Sequence, residues 1–292
     1  AIIGLGALGS GAADLLVRAG IGTLLIIDRD VVEESNLQRQ LLYTESDIGK
    51  AKALAAQHTL RAINSTINIT ALPIHLNAKN ISLLQDTDLI LDCTDNIRTR
   101  LLLNDYCKQH KKPWIYAAAI KTTGMVIPLL PEGPCLRCIL KETSAETCDT
   151  VGILNTITTS IAALQVSLAL KLLLQKKVEP SLYHLNIWNP SLQTITIKQN
   201  PSCPSCQGIY EYLQPREETK VIPFCAGKRY QVLGKKQDFS VLKERWQRLG
   251  IVQEDEAMLQ FKNIILFKDG RALIAAASEE EALTTYSKYV GD

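Results

Sequence analysis

Three glycines, Gly4, Gly6 and Gly9, stand at G-x-G-x-x-G spacing directly after an apolar run and directly before a helical pattern. A strand that turns this sharply into a helix leaves free amides that can face a phosphate, so the start of the chain points to an α/β fold built from βαβ units. The next apolar run, TLLIID, ends on Asp28. Such folds place there, about 20 residues past the last glycine, the acid that bonds a ribose hydroxyl. An ordinary glycine turn shares this spacing, and by itself the pattern leaves NAD, FAD and ATP open as ligands.

The residues after Asp28 narrow that choice. The loop RDVVEESNLQRQ carries Asn36, Arg39 and Gln40, and IGKAKALAA opens a helix with Lys50 and Lys52. A dinucleotide is held mainly at its pyrophosphate and ribose, whereas splitting ATP between its α- and β-phosphates needs several cations on the triphosphate. An arginine and a lysine at these places favour ATP over a solvated charged loop.

Helices are expected over residues 9–19, closed by Gly20, and over 50–63, with ITALPIHL and DLILDC as strands between and after them. Strands alternating with helices predict a parallel, doubly wound sheet, whose ligands sit at the carboxyl ends of strands. Gly4, Asp28 and Asp95 all fall at such ends. PWIYAAAIKTTGMVIPLL continues the sheet and is expected to turn antiparallel. LDCTDN puts Asp92 and Asp95 where one or two carboxylates can hold magnesium beside phosphates, although an N-cap for the helix that follows is a rival role. Arg100, about one turn into that helix, would face the same phosphates. Cys93 and Cys107 sit in apolar patterns and read as core.

Cys135 and Cys138 form one C-x-x-C pair, and Cys203 and Cys206 a second, each among Pro and Gly turns. Four thiolates from two such pairs suit a tetrahedral zinc with no open position, hence a structural ion. Cys148 has no such mate and precedes a long apolar stretch reaching about residue 175. A lone thiol near a helix start can be a thiolate nucleophile. The helix, apolar on nearly every face, is expected to be buried. The four histidines, His58, His75, His110 and His184, share no metal or triad spacing and read as structural.

GLGALG, IIDRDVVEESNLQRQ, IGKAKA and LDCTDNIRTR, in that order, resemble the ThiF/MoeB/HesA family of ubiquitin-activating-type adenylyltransferases over roughly residues 1–207, the bacterial ThiF members most. The resemblance implies ATP, Mg2+ and a structural Zn2+. It places the nucleotide on Gly4, Gly6, Ala7, Gly9, Asp28, Ser35, Asn36, Leu37, Gln38, Arg39, Gln40, Lys52, Asp95 and Asn96. Catalysis would fall to Arg39, Lys52, Asp95, Arg100 and Cys148, with magnesium on Asp95. Ala7 stands where the family commonly has a third glycine, and VGILNT replaces a Pro-containing stretch after Cys148. The implied reaction is adenylation of the C-terminal Gly-Gly carboxylate of a ubiquitin-like sulfur-carrier protein, in thiamine-thiazole biosynthesis. The molybdopterin carrier is the close rival. A homodimer, a cysteine desulfurase or sulfurtransferase partner, and an arginine lent by a leading helix before residue 1 are implied in the same way.

Composition supplies the exclusions. The 292 residues are 46% hydrophobic and 21% charged, enough for a large domain and a small one, and the net charge of +2 predicts no nucleic-acid field. No run of about 18 uninterrupted apolar residues occurs and no signal peptide opens the chain, so no membrane partner and a cytoplasmic protein are expected. Eight cysteines in that setting suggest metal or catalysis before disulfides. The expected fold is α/β: a Rossmann-like doubly wound sheet, parallel with an antiparallel extension, over 1–213, then a small α+β domain over 214–292 in which Cys225 reads as core. The second part is a candidate interaction module. An NAD-dependent oxidoreductase would leave SNLQRQ and the cysteine pairs unexplained. A non-catalytic partner subunit would not need Arg39, Lys52 and Asp95 together, and an adenylyltransferase acting on a peptide or a tRNA base often lacks the cysteine pairs.

Overall fold

The computed structural model describes residues 1–140, 152–214, 221–223 and 229–291. The chain divides into two compact units, Ala1–Pro215 and Arg216–Asp292.

The first unit is built on β1 (Ile2–Ile3), α1 (Ala7–Arg18), β2 (Thr23–Ile27), α2 (Lys52–Ile63), β3 (Asn68–Leu72), β4 (Ile90–Asp92), α3 (Ile97–Gln109), β5 (Trp114–Ile120) and β6 (Thr123–Leu129). A short α4 (Leu136–Ile139), then α5 (Asn155–Leu173), β7 (Ser181–Asn186) and β8 (Ser191–Thr196) complete it. The eight strands lie in the order β3-β2-β1-β4-β5-β6-β7-β8. Pairing is parallel from β3 through β5 and antiparallel from β5 to β8. The expected antiparallel extension is therefore present, turned at Lys121, whose φ of 53° lies in the left-handed region.

Strand order reverses between β1 and β4, and the crevice outside their carboxyl ends is where open α/β sheets bind ligands. Apolar spacing explains the layers. Leu8, Ala12, Leu16 and Val17 of α1 bury one face against Ile2, Leu24 and Ile26, while Leu102, Leu103 and Tyr106 of α3 pack on the other side with Ile3, Ile90 and Tyr116. Gly20, at φ 81°, ends α1 as the sequence predicts.

The expected burial of the long helix needs correction. Ile157, Ile161, Ala162, Val166 and Ala169 of α5 are buried, but Thr159, Ala163, Ser167 and Lys171 are exposed. Small and polar residues at four-residue spacing make an outer face that overall hydropathy hides. By length and composition the helix is apolar enough to cross a membrane, yet its apolar edge lies in the core formed with α1, β5 and β6.

In the second unit, β9 (Val221–Pro223), β10 (Arg229–Leu233), α6 (Phe239–Gln247), β11 (Val252–Glu254), β12 (Met258–Phe261), β13 (Ile264–Phe267), β14 (Arg271–Ala275) and α7 (Glu279–Tyr289) follow in turn. The strands form one antiparallel sheet in the order β11-β12-β13-β14-β10-β9. Asp238 caps α6 and Ser278 caps α7. Their apolar faces close a core around Trp246, which stacks on Phe261 at 5.1 Å and donates its indole N–H to the Tyr289 carbonyl at 2.9 Å. This is the α+β arrangement expected.

Candidate active site

The glycine loop is packed too closely for side chains. Gly4 has φ 87°, and a Cβ there would lie 2.8 Å from the Cys93 carbonyl oxygen; a Cβ on Gly9 would lie 1.9 Å from the Gly4 oxygen. The loop thus rests on the turn after β4. Gly6 opens α1 without a side-chain cap, and Ala7 is the first helical residue, so the amides of the first turn remain available to an anion. Gln40 is buried beside this turn, 3.8 Å from where a Gly6 Cβ would stand, and its Oε1 has no hydrogen-bond partner. The Gln40 atom nearest Gly6 is Nε2, a donor, which fits an anionic ligand beside that turn.

Asp28, at the end of β2, joins the acid to the loop. Its Oδ2 accepts from Leu5 N at 2.6 Å and its Oδ1 from Asp30 N at 2.7 Å. Burial pushes its carboxyl above the usual carboxylate range, against the pull of Lys52. Lys52 begins α2 almost fully buried, 2.7 Å from Asp30 Oδ2. Burial disfavours its charge, yet Asp30 and Asp28 outweigh burial and hold its pKa above the ordinary lysine value. Tyr43 donates to the Leu5 carbonyl at 2.9 Å, clamping the glycine loop from behind. In the loop between, Asn36 and Glu33 cap each other's backbone, Arg39 Nη1 donates to the Ser35 carbonyl at 2.8 Å, and Leu37 packs on the core while Ser35 and Gln38 are exposed.

At the end of β4, Asp92 is wholly buried. Its Oδ1 accepts from Thr94 N at 3.0 Å and Thr94 Oγ1 at 2.7 Å, and its Oδ2 lies 3.6 Å from Arg100 Nε. Burial raises its carboxyl in spite of Arg100. Arg100 turns inward: it donates to the Thr94 carbonyl at 2.5 Å and lies over the Tyr116 ring at 4.9 Å. The N-cap of α3 is Asn96, accepting from Arg98 N and Thr99 N, so the capping role does not fall to Asp95, which is exposed. Of the two acids in LDCTDN, Asp92 braces the turn and Asp95 faces outward from it.

The four paired cysteines, far apart along the chain, are brought together by the fold. Sγ separations are 3.9 Å for Cys135–Cys138, 3.5 Å for Cys135–Cys203, 3.5 Å for Cys138–Cys206 and 3.6 Å for Cys135–Cys206. All four sulfurs lie within 4.8 Å of one another. A disulfide would bring sulfurs to about 2.05 Å. Zn–S bonds of about 2.3 Å give tetrahedral edges of about 3.8 Å, so the spacing fits a metal. Burial, then the neighbouring thiols, push Cys206 up to about 11. Behind the sulfurs, Asn104 Oδ1 accepts from Leu136 N at 2.8 Å, Ser205 Oγ donates to Asp105 Oδ1 at 2.5 Å, and Arg137 pairs with Glu211 at 3.0 Å. Cys148 and Cys225 lie outside the described residues. Of the histidines, His75 stands 3.4 Å from Arg29 and His110 packs on Tyr106.

Sequence reasoning missed Asp30, Tyr43 and Gln165. Asp30 sits two residues beyond Asp28 in IDRD, a pairing that could have been read. Tyr43 and Gln165 lie in apolar stretches, and only Gln165, a polar residue on a core face, offered a signal.

A doubly wound sheet with a bare glycine turn at its switch point, a strand-end acid bonded to that turn and a four-thiol knuckle are the features of a nucleotide-binding α/β protein. Residues 1–205 match the ThiF family, and the chain belongs to it. The chain is 36% identical, over 99% of its length and 92% of the relative's, to the sulfur carrier protein ThiS adenylyltransferase of Bacillus subtilis. It is 34% identical to the sulfur carrier protein adenylyltransferase of Thermus thermophilus, over 70% of this chain and 80% of that one. Among solved structures, E. coli MccB with ATP has a TM-score of 0.62 at 23% identity, covering 70% of this chain and 64% of that one, a likeness of fold.

Proposed function

We propose that this protein adenylates the C-terminal Gly-Gly carboxylate of a ubiquitin-like sulfur carrier of the ThiS kind, at the expense of ATP. The carboxylate oxygen attacks the α-phosphorus, the bond to the β-phosphate oxygen breaks, and pyrophosphate leaves an acyl adenylate behind. No general base is required, because a carboxylate is already ionised at neutral pH. The protein's work is placement and neutralisation.

The observation that carries this reading is the bond from Leu5 N to Asp28 Oδ2, which makes the phosphate turn and the ribose acid one rigid piece. One nucleotide can span both. In this reading the amides of Gly4, Gly6, Ala7 and Gly9, with Gln40, face the phosphates, and Asp28 takes the ribose. Ser35, Asn36, Leu37 and Gln38 shape the loop that carries Arg39, and Arg39 and Lys52 neutralise the triphosphate. Arg100 acts through the Thr94 carbonyl it grips, and Asn96 fixes the start of α3. Asp95 would hold Mg2+, which supplies charge neutralisation on the phosphates. The four thiols would hold a structural Zn2+. Support for the substrate comes from the relatives, two of which are named for adenylating sulfur carriers.

The same reading extends to the finer expectations. Residues 1–213 form the adenylating part and 214–292 a module for the carrier or a neighbouring subunit. Cys148 attacks the acyl adenylate and releases AMP, either as the thiolate, forming a thioester, or carrying a persulfide sulfur supplied by a cysteine desulfurase or sulfurtransferase, forming an acyl disulfide. The assembly is a cytoplasmic homodimer. The test is ATP–pyrophosphate exchange with a purified ThiS-type carrier: exchange should require the carrier's terminal diglycine and vanish in Asp95→Ala. Exchange unchanged in that variant removes Asp95 from the site.

A further inference from the structure

Within the buried face of α5, one residue breaks the apolar pattern. Gln165 is fully buried between Ile161, Ala162, Val166 and Ala169, and a buried carboxamide is costly unless each of its polar groups is bonded. Here each one is. Nε2 donates to the Asp92 carbonyl at 3.1 Å and to the Ile115 carbonyl at 3.0 Å, and Oε1 accepts from the Cys93 thiol at 3.3 Å. The side chain therefore crosses from α5 to the carboxyl end of β4 and ties it to β5.

What it holds is the floor of the candidate site. Cys93 N donates to the Ile3 carbonyl at 2.9 Å, fixing the same residue to β1. The Cys93 carbonyl oxygen lies 2.8 Å from where a Gly4 Cβ would stand, and the Cys93 Cβ lies 3.2 Å from where a Gly9 Cβ would stand. Gly4, Gly9 and Cys93 thus form one close stack, and the residues after Cys93 are Thr94 and Asp95. A shift of Cys93 moves the phosphate turn and the Asp95 turn together.

We propose that Gln165 is a positioning residue for the nucleotide, acting through Asp92 and Cys93 to hold the glycine turn and the Asp95 turn in mutual register. It touches neither substrate, and its effect should fall on ATP rather than on the carrier. This inference rests on the adenylation reading above. Small displacements at a reacting centre cost large factors, so a support one layer out is where such register is set.

The test compares the full-length wild type with Gln165→Met, which keeps the volume and removes the three hydrogen bonds. ATP affinity, ATP–pyrophosphate exchange and thermal unfolding are measured on both. In folded Q165M, Kd and KM for ATP should rise about ten- to hundredfold while KM for the carrier stays within about twofold. A folded Q165M with unchanged ATP affinity, or with ATP and carrier constants weakened alike, overturns the proposal and leaves Gln165 a core residue. Should Q165M not fold, the side-chain amide signals of Gln165 in the 15N-labelled wild type carry the test. They should shift and exchange more slowly with Mg-ATP, and stay unmoved with carrier alone; signals indifferent to Mg-ATP contradict it. A wild type that binds no ATP would instead bring down the adenylation reading itself.

Discussion

Lys52 is the residue on which the site's charge balance turns. It is buried beside Asp30 and within reach of the Asp28 charge, so its removal takes away the cation that both acids share. Removing one partner of a buried pair costs about 3 kcal/mol or more. Lys52→Ala should therefore lose both pyrophosphate exchange and stability of that order, read by urea unfolding. Asp92 gives a prediction in pH. Its folded pKa is raised, so the folded state holds its proton more tightly than the unfolded chain, whose aspartate titrates near about 3.9. Stability from that proton is complete below the unfolded value and is lost as pH rises through the folded one. Asp92→Asn should accordingly gain stability relative to wild type as pH rises from about 4 to 7, a trend that paired denaturation curves can check; a gap that narrows over the same range contradicts it. The residue scale is also where the sequence was least legible. Asp28 and the cysteine pairs stand out because their spacing is local. Arg100 was expected to face phosphate, and its inward turn toward Asp92 and Thr94 depends on a strand end and a ring, Tyr116, that only the fold brings near.

At the scale of elements, the cysteine knuckle is tied to α3. Leu136 N donates to Asn104, and Ser205 and Tyr212 N both donate to Asp105, so the loop holding the sulfurs and the helix that begins at the Asp95 turn share one set of bonds. Structural zinc contributes on the order of 10 kcal/mol of apparent binding energy, and binding deprotonates the thiols. Chelation should lower the melting temperature of the first unit by many degrees, and zinc return should release protons, measurable in weakly buffered solution. In the second unit, Trp246→Ala should cost about 3–5 kcal/mol, since the ring is fully buried against Phe261 and its N–H is bonded. Helices and strands were mostly legible because apolar period and caps are local signals: α1, α2 and the antiparallel turn after β5 fall where expected. The outer face of α5 was not, because threonine, alanine and serine dilute its polarity, and only packing against α1 shows which side is buried.

At the scale of the whole molecule, the order of motifs along the chain becomes a place. Gly4 follows β1, Asp28 follows β2 and Asp95 follows β4, and the sheet sets β1 between β2 and β4. That topology converts three local signals into one crevice, which is why fold and site were readable together. The central claim is that the chain transfers an adenylyl group to a carrier's C-terminal carboxylate. Intact-mass measurement of a ThiS-type carrier after incubation with the protein and Mg-ATP tests it most directly. A gain of one adenylyl group, confined to a carrier ending in Gly-Gly and accompanied by pyrophosphate, is predicted; a carrier of unchanged mass with no pyrophosphate formed, or one that gains only a phosphoryl group, contradicts the account.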